Sequence, residues 1–224
     1  MDPITLHTER LVLRPFEERD EAAVAEACDD PDIQRFVPVP EPYTLKDAEE
    51  FVRNTSRNGW RDDTMYNFGL FTRDGGGERG GEGGREAAAR EAGGEAGGEA
   101  GGEGGVLVGS MGLVRLELLR TAERQAELGF WTARGHRRKG YTAEAGRAVA
   151  EWAFSALGVE RLEWVAQVEN EGSRAVAQRL GFVEEGIQRA RIVHRGTRRD
   201  ARIAALLPSD WGYGLETPYL PSPR

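Results

Sequence analysis

Residues 128–145 (Leu-Gly-Phe-Trp-Thr-Ala-Arg-Gly-His-Arg-Arg-Lys-Gly-Tyr-Thr-Ala-Glu-Ala) constrain this chain more than any other stretch. Residues 128–132 form a short apolar and aromatic run that suits a buried strand. Residues 133–139 make a tight basic loop. After Gly140, residues Val149, Trp152, Ala153 and Ala156 recur at helical spacing, so the spacing predicts a helix over 140–157. The first turn of a helix presents unpaired backbone amides and a partial positive charge. Glycine at 140 admits a ligand oxygen close to the backbone. Arg137, Arg138 and Lys139 add full charges around it. The pattern points to an anion site, and a strand-to-helix connection with a solvated basic loop is the competing reading. Neither Gly-x-x-x-x-Gly-Lys-Ser/Thr nor Gly-x-Gly-x-x-Gly occurs here, so the two common nucleotide fingerprints are excluded.

The 224 residues allow one ordinary domain with a full core. A lone Cys28 excludes an internal disulfide and a cysteine-based metal site, and the scattered His7, His136 and His194 give no zinc pattern, so no metal is expected. The first residues do not read as a signal peptide, and no apolar run of about 18 residues occurs. A cytoplasmic protein without membrane association is expected. The formal charge of −8 disfavours nucleic acid as a partner. Residues 74–105 hold 15 of the 30 glycines and a net charge of −5. Such a composition cannot bury enough surface to offset its ordering entropy, so it is read as a disordered insert between two strands, a tolerated loop expansion rather than an acidic tether. Residues 218–224 are read as a loose tail.

Strands are predicted at 8–14, 66–72, 106–116, 125–132, 162–168, 186–194 and 197–207. Helices are predicted at 22–27 with Asp20 as N-cap, at 45–58, at 140–157 and at 170–180. Thr44 and Asp47 form a capping box, and Gly59 is placed just past that helix as its C′ residue. Asn170 is an N-cap, and Gly181 closes its helix with Phe182 packing back. Arg195-Gly196 turns the last hairpin. Residues 31–43 read as a proline-rich loop. The fold class is therefore α+β: a mixed, mostly antiparallel, seven-stranded sheet flanked by about four helices.

This order, with Arg137-Arg-Lys-Gly140-Tyr-Thr142 in the place of an Arg-x-x-Gly-x-(Gly/Ala) loop, resembles the GNAT acyltransferases, with Thr142 as a departure. The chain is similar to the ribosomal-protein-alanine acetyltransferase (RimJ/RimL-type) branch. Carrying that likeness are Thr8-Glu-Arg-Leu-Val-Leu-Arg-Pro15; Glu127-Leu-Gly-Phe-Trp131; Gly140-Tyr-Thr-Ala-Glu-Ala145 with Trp152-Ala-Phe154; Asn170-Glu-Gly-Ser-Arg174 leading to Leu180-Gly-Phe182; and Arg199-Asp200 followed by Trp211.

The resemblance implies acetyl-CoA as donor, with its pyrophosphate on the amides around Arg138, Lys139, Gly140, Tyr141 and Thr142 and Arg137 as a further counter-charge. The pantetheine arm would lie along Phe130, Trp131 and Thr132. A primary amine, of a protein N-terminus or a small molecule, would attack the thioester directly in a ternary complex. Glu127 is the candidate base, with Glu163 a weaker one; an ion-pair role is the competing reading for Glu127. The helix position where many GNAT proteins carry Tyr holds Ala177, and the branch implies Ser173 as the acid; capping at N3 is its competing role. Asn170 would orient the pantetheine amide or the substrate. Phe36, Tyr43 and Trp60 either line an acceptor groove or pack in the core. The basic run Arg189, Arg191, Arg195, Arg198, Arg199 and Arg202 is read as a solvated, partly paired face. Alternatives kept are an acyl-CoA-binding regulatory module without turnover, another acyl-CoA, an aminoglycoside, amino-acid or polyamine acceptor, and a nucleic-acid-binding basic hairpin. A homodimer is one assembly in view.

Overall fold

The computed structural model describes residues 1–73 and 105–222. One eight-stranded sheet runs through it. In chain order its strands are β1 (Leu6–His7), β2 (Leu11–Arg14), β3 (Tyr66–Thr72), β4 (Leu107–Val114), β5 (Gln125–Thr132), β6 (Arg161–Gln167), β7 (Val183–His194) and β8 (Thr197–Leu206). The spatial order is β1-β2-β3-β4-β5-β6-β8-β7. Seven strands were expected. The eighth arises because the predicted first strand breaks at Thr8, whose hydroxyl takes up the Leu11 amide, and Leu6–His7 folds back onto Val12 and Leu13.

The helices are α1 (Glu21–Cys28), α2 (Pro31–Phe36), α3 (Leu45–Glu50), α4 (Arg57–Arg61), α5 (Tyr141–Ser155) and α6 (Glu171–Leu180). A π-helical stretch, Phe51–Ser56, joins α3 to α4. The capping box of Thr44 and Asp47 opens α3 as expected. Gly59, expected as the residue past this helix, lies inside α4 instead. A Cβ there would stand 2.8 Å from the Met65 carbonyl, so the glycine serves a close chain approach and not a stop. Asp20, expected as an N-cap, makes no cap bond; its carboxylate binds Arg14 and the Glu17 amide. The 31–43 segment contains a real helix, α2, capped by Asp30 with Pro31 at its first position.

Two cores sandwich the sheet. Ala145, Val149, Ala150 and Ala153 of α5 pack with Leu128, Leu162 and Trp164 on one face. Val24, Cys28, Ala48 and Val52 pack with Phe71 and Leu107 on the other. Because both faces are covered, β3 and β4 are buried along nearly their whole length. Tyr43 and Trp60 are core residues, 7% and 1% exposed, and Phe36 is half-buried on α2.

The β5–β6 junction positions the site. All other neighbours in the sheet pair antiparallel. β5 and β6 run parallel and are in register only from Gln125–Arg161 to Glu127–Glu163. Beyond that they part, leaving a wedge between their C-terminal halves.

The expected insert falls on residues outside those described, as does the end of the tail; residues 218–222 carry no regular element. The described ends of the insert are adjacent: Thr72 and Val106 exchange backbone and side-chain hydrogen bonds of 3.0 Å. Replacing residues 74–104 with a two-residue Asn-Gly turn is therefore expected to leave the melting temperature within a few degrees. A loss of more than about 10 °C in a calorimetric scan would show that the segment stabilises the fold.

Candidate active site

Gly140 caps α5 at φ +83°, and among the described residues no side chain caps the first turn. The amides of that turn therefore point outward unpaired. Arg138, just before it, also adopts a left-handed conformation, φ +61°, which a non-glycine residue enters at a cost of about 1 kcal/mol. Arg138 and Lys139 are exposed. Arg137 is not: its guanidinium binds Asp30, Asp32 at 2.7 Å and the Thr132 carbonyl at 3.3 Å. Thr142 is 7% exposed and its hydroxyl lies 2.6 Å from that of Thr132, tying the end of β5 to the start of α5.

A second staple holds the loop from the sheet edge. Glu144 accepts from the Thr8 hydroxyl at 2.6 Å, the Arg10 amide at 2.9 Å and Arg10 Nε at 2.7 Å, while Arg10 Nη1 donates to the Lys139 carbonyl at 3.1 Å. Burial pushes the Glu144 carboxyl up, but the bonds from Thr8 and Arg10 outweigh it and the net shift is downward. His136, half-buried beside Tyr141, is held below its ordinary value by burial and by Lys139. Along the outer side of α5 runs a trough of about 730 Å³ lined by Thr8, Arg10, Arg138, Lys139, Arg147 and Arg179 among others. Five of its lining side chains are basic and two, Glu144 and Glu151, are acidic, and through Arg138, Lys139 and Gly140 it is continuous with the helix start.

The wedge opens beside this loop. Residues 128–132 of β5 pair with β4 on one edge and, among the described residues, have no strand on the other, so a row of backbone groups faces the gap. Alternation assigns the faces. Leu128 and Phe130 join the core under α5, and Trp131 joins the opposite one. Glu127, Gly129 and Trp131 therefore share the face away from α5. A Cβ on Gly129 would meet nothing within 4 Å, so the sheet floor is bare there. Glu127, its side chain 19% exposed, stands at the root of the wedge next to Glu163 and 3.7 Å from Arg115. Burial raises its pKa; Arg115 opposes the rise, Glu163 adds to it, and Arg191 opposes it. Glu163 is held by Arg161 at 3.0 Å, and Arg161 also binds Glu185 at 2.6 Å.

On the other side, α6 begins at the open end of β6. Asn170 caps it, accepting the Ser173 amide at 3.1 Å. The Ser173 hydroxyl accepts from Trp164 Nε1 at 2.9 Å, and Trp164 is 2% exposed. Glu127 and Ser173 thus lie on opposite faces of the split sheet. Ala177 is buried in the core.

Across the mouth lies α2. Gln167 of β6 donates to the Arg35 carbonyl at 3.3 Å, His194 contacts the Gln34 carbonyl at 3.1 Å, Arg195 pairs with Glu41, and Arg137 holds the N-terminus of α2.

A family profile described as "Acetyltransferase (GNAT) domain" matches residues 10–183, which includes the loop, the wedge and the start of α6. The chain belongs to the GNAT acetyltransferase family. Among curated relatives, YdaF of Bacillus subtilis, named "Putative ribosomal N-acetyltransferase", is 38% identical over 100 residues, 45% of this chain and 55% of that protein. YjcK of the same species is 33% identical over 46% of this chain and 56% of its own length. The chain thus spans about half the length of these two relatives. YoaA, also of B. subtilis, is 25% identical over 92% of this chain and 98% of its own. Among solved structures, Mycobacterium smegmatis RimJ in complex with CoA-disulfide superposes with a TM-score of 0.71 at 20% identity, covering 95% of this chain and 92% of that one. RimL, the ribosomal L7/L12 α-N-protein acetyltransferase, gives 0.68 at 16% identity, covering 92% and 98%. Those two likenesses carry the fold, and the relatives support the RimJ/RimL-like branch.

In this GNAT chain the structure gathers the sequence-derived residues into two groups. Phe130, Trp131, Thr132, Arg138, Lys139, Gly140, Tyr141 and Thr142 run from the unpaired edge of β5 to the start of α5, with Phe130 and Trp131 on opposite faces of the sheet and Thr142 buried. Glu127 sits at the root of the wedge, and Asn170 and Ser173 sit across it. Arg137 departs from the first group to pin α2. Sequence reading missed the Arg10–Glu144 staple, the bare floor at Gly129 and the α2 bridge. The first had a signal, since Thr8, Arg10 and Glu144 all fall within motifs that carried the family resemblance.

Proposed function

We propose that this chain is an acetyl-CoA-dependent N-acetyltransferase acting on a primary amine, of a protein N-terminus or a small molecule. The observation carrying the proposal is the parting of β5 from β6 beside the uncapped, glycine-started helix α5. The residues fit the donor: the amides at Gly140–Thr142, uncapped among the described residues, and the exposed charges of Arg138 and Lys139 suit a pyrophosphate, the open edge of β5 suits a pantetheine amide, and the arginines of the trough suit a phosphorylated nucleoside end.

In this reading the thioester lies in the wedge, reached from both faces of the sheet. The amine enters over Gly129, on the side of Glu127. Glu127 takes up the amine proton, directly or through water. An α-amine of pKa about 8 costs about 1.4 kcal/mol to deprotonate at pH 7, against about 4.6 for a lysine, so a carboxylate base suits the α-amine better. As the tetrahedral adduct collapses and its C–S bond breaks, Ser173, held from behind by Trp164, passes a proton to the departing thiolate and takes one up from solvent water in return. Asn170 keeps Ser173 in place. The whole chain is proposed to act as one such domain.

Calorimetric titration with acetyl-CoA, CoA and succinyl-CoA tests the donor, and thiol release with a panel of amines tests turnover. Acetyl-CoA binding with thiol release supports the reading. Absence of binding would overturn it, and binding without release from any amine would leave an acyl-CoA-binding module.

Ser173→Ala is expected to lower kcat by about 10²-fold with unchanged acetyl-CoA affinity. It also orphans the buried Trp164 N–H, at about 1–3 kcal/mol of stability. Ser173→Thr, which keeps the hydroxyl, should recover most of both. Full kcat in the Ala variant would remove Ser173 from the chemistry.

A further inference from the structure

Helix α2 joins the far ends of the two strands that part. It has six residues, where an isolated helix needs about 12 to hold together in water. It fully buries one apolar side chain, Ile33. Its place is therefore set by what grips its two ends. At the C-terminal end the helix leaves carbonyls without an intrahelical partner. Gln167, the last residue of β6, donates from Nε2 to the Arg35 carbonyl at 3.3 Å, and His194 of β7 contacts the Gln34 carbonyl at 3.1 Å. These contacts also fix the face on which α2 lies. Glu127 pairs with Glu163, Glu163 with Ala205, and His194 with Thr197. Alternation along β8 puts Thr197 on the face of Ala205, so His194 and α2 share the face of Glu127.

At the N-terminal end the grip comes from the basic loop before α5. Asp30 uses one carboxylate oxygen as the cap of α2, accepting the Asp32 amide at 2.9 Å, and the other to bind Arg137. Arg137 Nη1 reaches Asp32 at 2.7 Å, and its Nε donates to the carbonyl of Thr132, the last residue of β5, at 3.3 Å. All three guanidinium nitrogens are engaged by α2 and β5. The Asp30 side chain is 8% exposed, and Arg137 is its one cation among the described residues. A buried carboxylate deprived of its cation is heavily penalised, so this guanidinium is held where it is. Arg138 and Lys139, by contrast, are exposed and form no ion pair among the described residues.

We propose that Arg137 is a positioning residue for the acceptor. From inside the donor loop it seats α2 over the open ends of β5 and β6, on the face by which the amine enters, and it leaves the donor's phosphates to Arg138 and Lys139. An acceptor bound beneath α2 needs the helix seated, so its apparent affinity scales with the seated fraction. Loosening the grip raises KM for the amine and spares kcat and donor affinity. This rests on the transferase reading above.

The experiment uses the amine that the wild type turns over fastest among a peptide beginning with alanine, alaninamide, spermidine and kanamycin. Thiol release at saturating acetyl-CoA gives kcat and KM for the amine, and calorimetric titration gives acetyl-CoA affinity. Arg137→Gln is expected to raise the amine's KM about tenfold, with kcat and acetyl-CoA affinity within about threefold of wild type. Arg137→Lys, which keeps the charge but not the fork that reaches both carboxylates, should fall between the two. Asp32→Asn cuts only the exposed arm of the grip, its side chain being 67% exposed; it should raise KM about threefold and leave the melting temperature within a few degrees. Arg138→Gln should do the reverse, weakening acetyl-CoA about tenfold at unchanged KM for the amine. If Arg137→Gln does not fold, Arg137→Lys and Asp32→Asn carry the same comparison. Unchanged KM in both of those variants would overturn this inference and leave the transferase reading standing. So would tighter acetyl-CoA binding by Asp32→Asn, or binding about tenfold weaker in Arg137→Gln, since either makes Arg137 a counter-charge of the donor. Acetyl-CoA binding with no transfer to any amine would overturn both.

Discussion

Gly140→Glu is expected to weaken acetyl-CoA binding by at least about 100-fold, equivalent to about 2.7 kcal/mol. Two effects add. The new carboxylate lies at the start of α5, where the helix amides and the charges of Arg138 and Lys139 otherwise favour an anion. It also comes within reach of Arg10, whose Nη2 lies 3.4 Å from where the Cβ would stand, and so competes with Glu144 for the residue that staples the loop. The left-handed φ of +83° adds strain of about 1–2 kcal/mol, so the melting temperature should fall by several degrees without loss of the folded state. Gly140→Asn separates the effects, because asparagine tolerates this conformation and adds no charge; it should keep most of the affinity. Titration and scanning calorimetry read both quantities. Unchanged affinity in the Glu variant would mean that the donor's phosphates bind elsewhere.

Glu127→Gln is expected to lower kcat by about 10²-fold or more while making the protein more stable at neutral pH. Burial raises the Glu127 carboxyl above its ordinary value, against the pull of Arg115. Between the unfolded pKa and the raised folded one, the folded state therefore holds a proton that the unfolded chain has released. The stability this group supplies is complete below the unfolded pKa and is lost as pH rises through the raised folded value. Gln cannot lose a proton, so the variant should match the wild type in melting temperature near pH 4 and exceed it near pH 7. In the wild type, kcat/KM for an α-amine should rise with pH through the same raised pKa, and that limb should vanish in the variant. A variant less stable than wild type at pH 7, or one retaining full kcat, would remove Glu127 from the role of strained, buried base.

Features set by a few neighbouring residues were legible without a structure. Asn170 caps α6 because its side chain reaches an amide three residues on. Thr44 and Asp47 cap α3 by the same local geometry. Arg195 and Gly196, at φ +49° and +70°, make the two-residue turn that the twist of paired strands requires. Gly140 could be read as the start of a helix because the helical spacing of Val149, Trp152 and Ala153 follows it, and three cations stand just before it in the chain. The family motifs extended this to the fold class and to the residues around the wedge.

What the sequence did not reveal depends on contacts distant along the chain. The two-residue strand Leu6–His7 is too short for any periodicity, and it exists only because β2 offers an edge. Gly59 carries the signature of a helix stop, yet it is fixed by the carbonyl of Met65 pressing on it. Arg137 looked like one of three equivalent loop cations until folding brought Asp30 and Asp32 to it from over a hundred residues away. The wedge itself is a matter of where two strands cease to pair, which neither strand records. Residue type and local backbone chemistry determined which charged groups, caps and turns this chain has. Only the tertiary structure decided which of them face one another: Glu127 lies on one face of the sheet and Ser173 on the other, and the parting of β5 from β6 opens the sheet beside them.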